Sequence, residues 1–289
     1  MNRSGLPPAA RIRSTQMDRT DILIADTVTK LGERAAGRVL LAASHGGVYA
    51  GYEAARAGVL AVILHDAAVG LDRAGIGALA WLQALAIPAA TVGHRSAVIG
   101  NGESMARSGV ISFVNDAAAS LGCRPGERAL DCARRMRAAE RSTAPVPQYD
   151  EARFVIRQAP GEPVIWGCDS VSLVAPGDAG AIVVTASHGE LLATSPSWGS
   201  RPDVLAAVFN DAGSDTVTRL PDLDGRAIAG ATVAAISARI GDAASTWRTG
   251  RLTHVNRRAA ALGTRAGMST SEFADRVIAA TRGRGSDTA

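Results

Sequence analysis

Arg38-Val39-Leu40-Leu41-Ala42-Ala43-Ser44-His45-Gly46-Gly47 is an apolar run that closes on a polar turn. Ala181-Ile182-Val183-Val184-Thr185-Ala186-Ser187-His188-Gly189 spells it again, with Ser-His-Gly displaced by 143 positions. A short run of this kind, ended by glycine, suits a strand buried on both faces of a parallel sheet. The echo extends outward. Asp26-Thr27-Val28 recurs as Asp169-Ser170-Val171, and Asp66-Ala67 as Asp211-Ala212. From Thr91-Val92 onward the displacement settles at 141: Thr232-Val233, Ser96 with Ser237, Ile99-Gly100 with Ile240-Gly241, Ser104 with Ser245 and Asn115 with Asn256. Apolar positions drift within volume limits, whereas matched Ser, His, Asp, Asn and Gly are held by geometry or chemistry.

The fold class expected is therefore α/β with a tandem internal duplication. Two similar parallel-sheet units would be related by a pseudo-twofold axis, with right-handed crossovers. Residues 1–20 read as a disordered leader, 21–137 as the first unit, 138–163 as a linker with a small hairpin, 164–281 as the second unit and 282–289 as a disordered tail. Met17 is a second candidate start. In the first unit, Val59–Leu64 and Ala89–Val92 read as further strands, helical spacing runs over Val48–Ala55 and Ile76–Leu85, and Val110–Leu121 reads as an amphipathic helix. In the second unit Pro196, Trp198 and Gly199 interrupt the helix expected near Thr194–Arg201. Arg153–Arg157 is expected to pair across Ala159–Pro163 with Val164–Trp166.

Composition narrows the function classes. Hydrophobic residues make up 47% of the 289-residue chain and charged ones 20%, enough for a real core. Aromatics at 4% argue against a base-stacking surface. The net charge of +4 sits largely in the first twenty residues, where Arg3, Arg11, Arg13 and Arg19 face only Asp18. With so little charge left on the body, no nucleic-acid partner is expected. No stretch has the length of a membrane span, the N-terminus lacks the apolar core of a signal peptide, and Cys123, Cys132 and Cys168 read as free thiols. A cytoplasmic homo-oligomer without a membrane partner is expected.

In a parallel α/β sheet, ligands bind beyond the carboxyl ends of the strands, where the repeated polar clusters fall. The candidate catalytic set is Ser44 as nucleophile or oxyanion donor, His45 as acid/base, Asp66 as its orienting partner and Lys30 as auxiliary base or carboxylate anchor. Lys30 is the only lysine in the chain. Gly46, Gly47, His65, Ser187, His188 and Asp211 are candidate substrate contacts. Lys30, Gly47 and His65 lack counterparts in the second unit, which points the chemistry to the first. Asn115 and Asn256 fall in expected helices and are candidates for bonds across the unit junction. Short-range zinc spacings are missing, so no metal and no cofactor is expected. A composite divalent site from His45, Asp66, His188 and Asp211 is the alternative.

No dinucleotide, P-loop or nucleophile-elbow motif occurs. The reading is an enzyme of small polar or anionic substrates, foremost a hydrolase of a carbonyl-type (amide or imide) bond. A lyase or isomerase using Lys30 and His45 for proton transfer or Schiff-base chemistry is the alternative, and a non-catalytic two-lobed binder is the third.

Overall fold

The structure is a computed structural model, which describes residues 22–29, 31–195, 197–199 and 201–286. The leader 1–20 and Lys30 lie outside the described residues, so their expected roles are neither supported nor opposed.

The first half forms β1 (Ile22–Ala25), β2 (Val39–His45), α1 (Val48–Arg56), β3 (Ala61–His65), α2 (Ala78–Ala84), β4 (Ala89–Val92), α3 (Gly102–Ser108), β5 (Ile111–Val114), α4 (Asp116–Ser120) and α5 (Ala129–Met136). Its five strands lie in chain order, the first four parallel and β5 antiparallel to β4. Strand residues alternate faces. Leu40, Ala42, Val62 and Leu64 pack among Ala50, Ala54 and Leu82 of α1 and α2. Their neighbours Val39, Leu41, Ala61 and Ile63 pack among Met105 of α3 and Cys132 and Met136 of α5. Both faces of the sheet are covered, which is why the central strands are apolar until their carboxyl ends, where Ser44, His45 and His65 stand.

The second half forms β6 (Arg153–Arg157), β7 (Ile165–Cys168), β8 (Ile182–His188), β9 (Ala206–Asn210), α6 (Arg219–Asp224), β10 (Ala229–Val233), α7 (Ala243–Thr249), β11 (Leu252–Val255), α8 (Arg257–Ala261) and α9 (Thr270–Ser286). Strands β7 to β10 are parallel, with β11 and β6 antiparallel at the two edges. Thus Arg153–Arg157 and Ile165–Cys168 pair across the Pro-rich turn, and β6 widens the second sheet to six strands against five in the first.

Four differences from the sequence reading have physical causes. Val110–Leu121 is not one helix but β5 followed by α4, split at Asn115. The Asn115 Oδ1 accepts from Ala118 N, capping α4, and from Ala89 N, while Nδ2 donates to Ile87 O, each at 2.9 Å. Asn256 repeats this pattern with Ala259, Gly230 and Ile228. Both asparagines thus bind within their own half rather than across the junction. In line with the interruption read from Pro196, Trp198 and Gly199, no helix forms between β8 and β9 of the second half among the described residues. Trp198 is fully buried there, edge-on to Phe209 with ring centroids 6.2 Å apart. Helix α9 runs to Ser286, five residues into the expected disordered tail, while residues 287–289 lie outside the described residues. Finally, α3, α5, α7 and α9 pack where no helix was expected.

The two halves meet through a small apolar cluster of Ala67, Ile99, Ala212 and Ile240. Around it, Arg239 pairs with Asp72 at 2.5 Å, and Leu71 N donates to Ala235 O at 2.8 Å. Thr194 N donates to Asp26 Oδ2 at 2.8 Å. The turn after β3 enters this junction with Ala67, Ala68 and Val69 all at positive φ (46°, 59° and 65°). For a β-branched residue that conformation is strained. It is held by Ala67 N and Ala68 N donating to His65 Nδ1 and Asp66 Oδ1, and by Val69 N donating to Asp66 O.

Candidate functional site

The carboxyl ends of β2 and β8 face a shared cavity of about 480 Å³ between the two halves, within the usual size of a small-molecule site. Its walls carry matched hydroxyls: Thr27, Thr29 and Ser44 from the first half, Ser170, Ser172 and Ser187 from the second. The two Ser side chains sit alike. Val28 N donates to Ser44 Oγ at 3.0 Å, and Val171 N donates to Ser187 Oγ at 2.8 Å. Thr27 and Thr29 share a hydrogen bond of 3.0 Å, and Ser170 and Ser172 one of 2.7 Å.

His45 and His188 also line the cavity. Gly47 N donates to His45 Nδ1 at 3.1 Å, so the neutral ring carries its proton on Nε2. Burial, and then the neighbouring His65, push the His45 pKa down to about 4. For His188 burial again dominates, followed by Arg219 and His45, and the value falls to about 3. His188 is 9% exposed, and its Nδ1 is buried without a hydrogen-bond partner. Each histidine packs on a glycine of the other half: a Cβ at Gly100 would lie 3.2 Å from His188 Cε1, and one at Gly241 3.5 Å from His45 Cε1.

The remaining expected site residues serve the turns. Asp66 Oδ1 accepts from Ala68 N, His94 N and His94 Nδ1, at 2.9–3.2 Å, so its hydrogen bonds go to His94 rather than to His45. Asp211 Oδ1 accepts from Gly213 N and Ala235 N in the same manner. His65 Nδ1 accepts from Ala67 N, and Nε2 donates to Ala97 O. Asn210 makes the equivalent pair of bonds, Oδ1 from Ala212 N and Nδ2 to Ala238 O. The His-to-Asn difference between the halves therefore preserves one donor and one acceptor. Gly46 N donates to His65 O, closing the turn, and a Cβ there would lie 2.6 Å from Gly75 O. Ser44, His45, Ser187 and His188 are brought to one cavity, whereas Asp66, Asp211, His65, Gly46 and Gly47 do not line it and hold the turns behind it. The four ligand-type groups His45, Asp66, His188 and Asp211 do not gather into a metal-ligand cluster among the described residues.

Four wall residues escaped the sequence reading. Arg219, at the start of α6, is 4% exposed. Its Nη2 donates to Glu190 O at 3.0 Å, its Nε has no partner, and its guanidinium lies 5.1 Å from the Phe209 ring centre. Among the described residues the Arg201 side chain bonds main-chain carbonyls, those of Val171 and Trp198. Neither arginine has an ion-pair partner among the described residues. The Glu190 carboxylate nearby is already saturated by Ser214, Thr216 and Thr218. Burial, then Arg201, bring the Arg219 pKa down to about 10, leaving it charged at neutral pH. Glu151, from the segment between the halves, has its pKa raised to about 7, chiefly by burial and then by Asp169 and Glu53. Tyr49 is raised to about 12, chiefly by burial and then by Glu151. All three tyrosines of the chain meet beside the cavity, Tyr49 with its ring centre 5.9 Å from Tyr52 and 6.3 Å from Tyr149. That convergence of a scarce residue was a usable signal. Arg219 left none, because its structural counterpart in the first half is Ala78: both backbone N–H groups donate to the matched glycine carbonyl, Gly189 or Gly46.

Fold and site together define a class, a two-sheet α/β protein with a polar cavity between its halves. Comparison with family models, curated proteins and solved structures finds no match. No helix among the described residues is long and apolar enough to cross a membrane.

Proposed function

We propose that the chain is an internally duplicated α/β protein, its two units related by a pseudo-twofold axis, that binds and converts a small anionic molecule in the cavity between them. The observation that carries this reading is the pair Arg201 and Arg219. Arg219 is buried and Arg201 partly so, neither is bonded to a carboxylate, and Asp222 and Glu190 act on Arg219 only through space, so a ligand carboxylate or phosphate offers the paired charged acceptors that both guanidinium groups lack. The orphaned His188 Nδ1 is free to accept a hydrogen bond from a hydroxyl or amide of the same ligand. The six matched wall hydroxyls supply adaptable donors and acceptors around it.

Proton transfer, as in a lyase or isomerase, has more support than serine-based hydrolysis. Ser44 Oγ is engaged as acceptor for Val28 N, and its further hydrogen-bond partner is Thr27 Oγ1 at 3.5 Å rather than a base. Glu151, poised near pH 7, has the affinity for protons that an acid/base group needs, and Tyr49 stands beside it. His45 stays neutral and offers its Nε2 proton as a hydrogen bond to a developing negative charge. Three buried thiols without disulfides fit a reducing, cytoplasmic setting.

Thermal-shift titration with small mono- and dicarboxylates and phosphate esters tests the reading, because a ligand of the folded form raises the melting temperature by mass action. At least one anion is expected to stabilise the wild type, and Arg219→Met is expected to remove that stabilisation. An equal response from both proteins defeats the proposal. A ligand that binds without turnover, and whose affinity ignores Glu151→Gln, selects the non-catalytic binder.

A further inference from the structure

Away from the cavity, in the loop that joins α4 to α5 and the first turns of α5, three ligand-type side chains converge. The Sγ atoms of Cys123 and Cys132 and a carboxylate oxygen of Glu127 all lie within 4.8 Å of one another. They are the only such group of His, Cys, Asp or Glu among the described residues. We propose that Cys123, Glu127 and Cys132 bind one thiophilic divalent cation of the zinc type, independently of the cavity and of whatever reaction occurs there.

Comparison of the two halves separates this trio from ordinary packing. At a displacement of 141 the same three positions hold Thr264, Met268 and Phe273. The loops correspond: Cys123 N donates to Ala118 O as Thr264 N does to Ala259 O, and Gly126 N to Ile111 O as Gly267 N does to Leu252 O. All three second-half side chains are buried. The fold is thus satisfied at these positions without a thiolate or a carboxylate, yet the first half carries a ligand at each.

The chemistry of the donors suits the ion. Zinc takes sulfur at ~2.3 Å and oxygen at ~2.0–2.2 Å in tetrahedral array, which sets its ligands roughly 3.5–3.8 Å apart. The trio closes around a cation by about 1 Å of side-chain adjustment. Cys123 and Cys132 are 1% and 0% exposed, while the Glu127 side chain is 18% exposed and marks the way in. A water at that opening completes four-coordination. Binding replaces two S–H bonds by two sulfur–metal bonds and releases two protons. The resulting two thiolates, carboxylate and dication carry one net negative charge. Arg135, whose Nε donates to Glu127 Oε2 at 3.1 Å, balances it. Arg124 N donates to Glu127 Oε1 at 2.8 Å and fixes the carboxylate from the other side, an outer shell of the kind that orients metal ligands. The ion would clip the loop to α5. Cys168, buried alone in the other half, is the internal control.

The test uses the full chain, reduced, with Zn²⁺ and with Co²⁺ as spectroscopic probe. About one ion per chain is expected, with two protons released per ion and a thiolate-to-Co²⁺ charge-transfer band. Cys168→Ser is expected to keep all three properties. Cys132→Ser is expected to lose the band and roughly 100-fold in affinity, and Glu127→Gln roughly tenfold. Glu127→Gln leaves the buried thiols in place, so it reports even if Cys132→Ser fails to fold. A wild type without the band, an affinity unchanged in Glu127→Gln, or a Cys123–Cys132 disulfide formed in the presence of the metal each overturns the proposal.

Discussion

His65 and Asn210 occupy matched positions and do the same work with different atoms. Each offers one acceptor to a turn N–H and one donor to a carbonyl of the segment that follows β4 or β10. His65→Asn is therefore expected to stay within about 1 kcal/mol of the wild type in urea unfolding. His65→Leu, which orphans Ala67 N and Ala97 O, is expected to cost ~2–4 kcal/mol. If His65→Asn destabilises as much as His65→Leu, the hydrogen-bond account fails. The cavity histidines, kept neutral by burial, make stability depend on pH. An unfolded histidine takes up its proton near pH 6.5, whereas folded His45 and His188 refuse it until about pH 4 and 3. The unfolded chain thus binds more protons through that window, and stability falls as pH falls from 6.5 towards 3. His188→Gln should flatten the lower part of this fall, measured as unfolding free energy against pH. Glu151 titrates in the opposite sense. Its carboxyl holds a proton up to about pH 7, so activity or ligand affinity should carry an inflection near 7 that Glu151→Gln removes.

At the scale of elements, the asparagines explain why one apolar pattern yields two structures. Apolar positions 111, 114, 118 and 121 recur at helical spacing, yet a strand occupies the first half of that pattern and a helix the second. Asn115 ends β5 and starts α4 because its amide satisfies three main-chain groups that neither element could satisfy alone. Asn115→Ala and Asn256→Ala are each expected to cost ~2–3 kcal/mol, as a lost helix cap plus unpaired strand groups. Asn115→Asp keeps the acceptor and should recover part of the loss. Urea midpoints for the three variants check the order. The loop that replaces a helix between β8 and β9 has the opposite logic. Trp198 fills the sheet face and Arg201 reaches the cavity from the same irregular stretch. Breaking the helix in one half is what admits a guanidinium to the site.

For the whole molecule, the junction is both a packing surface and the frame of the cavity. Ile99 and Ile240, equivalent by the internal displacement, meet in one apolar cluster. Ile99→Asp places a carboxylate there and should cost ~3 kcal/mol or more while abolishing ligand stabilisation. Ile236→Asp, at a site 74% exposed, should do neither. Similar effects from both substitutions would mean that the junction does not organise the cavity. Among the described residues, Arg201, Arg219 and Glu151 on its walls come from the second half and from the segment between the halves, whereas the sequence asymmetries pointed to the first.

Legible from the residues alone were the two sheets, their central strands and the strand ends at which Ser44, His45, Ser187 and His188 lie, though not α3, α5, α7 and α9. These follow from local periodicity and from turn residues, which act over a few positions of chain. Tertiary structure alone decided what those residues face. Whether Asp66 turns to His45 or to His94 depends on the pairing of β3 with β4 and on a strained turn, neither of which is written in neighbouring residues. Glu151 acquires its raised proton affinity, and Arg219 its burial, only when distant segments remove them from water. Burial and charge pairing are properties of the assembled surface, and the chain order does not encode which groups will share it.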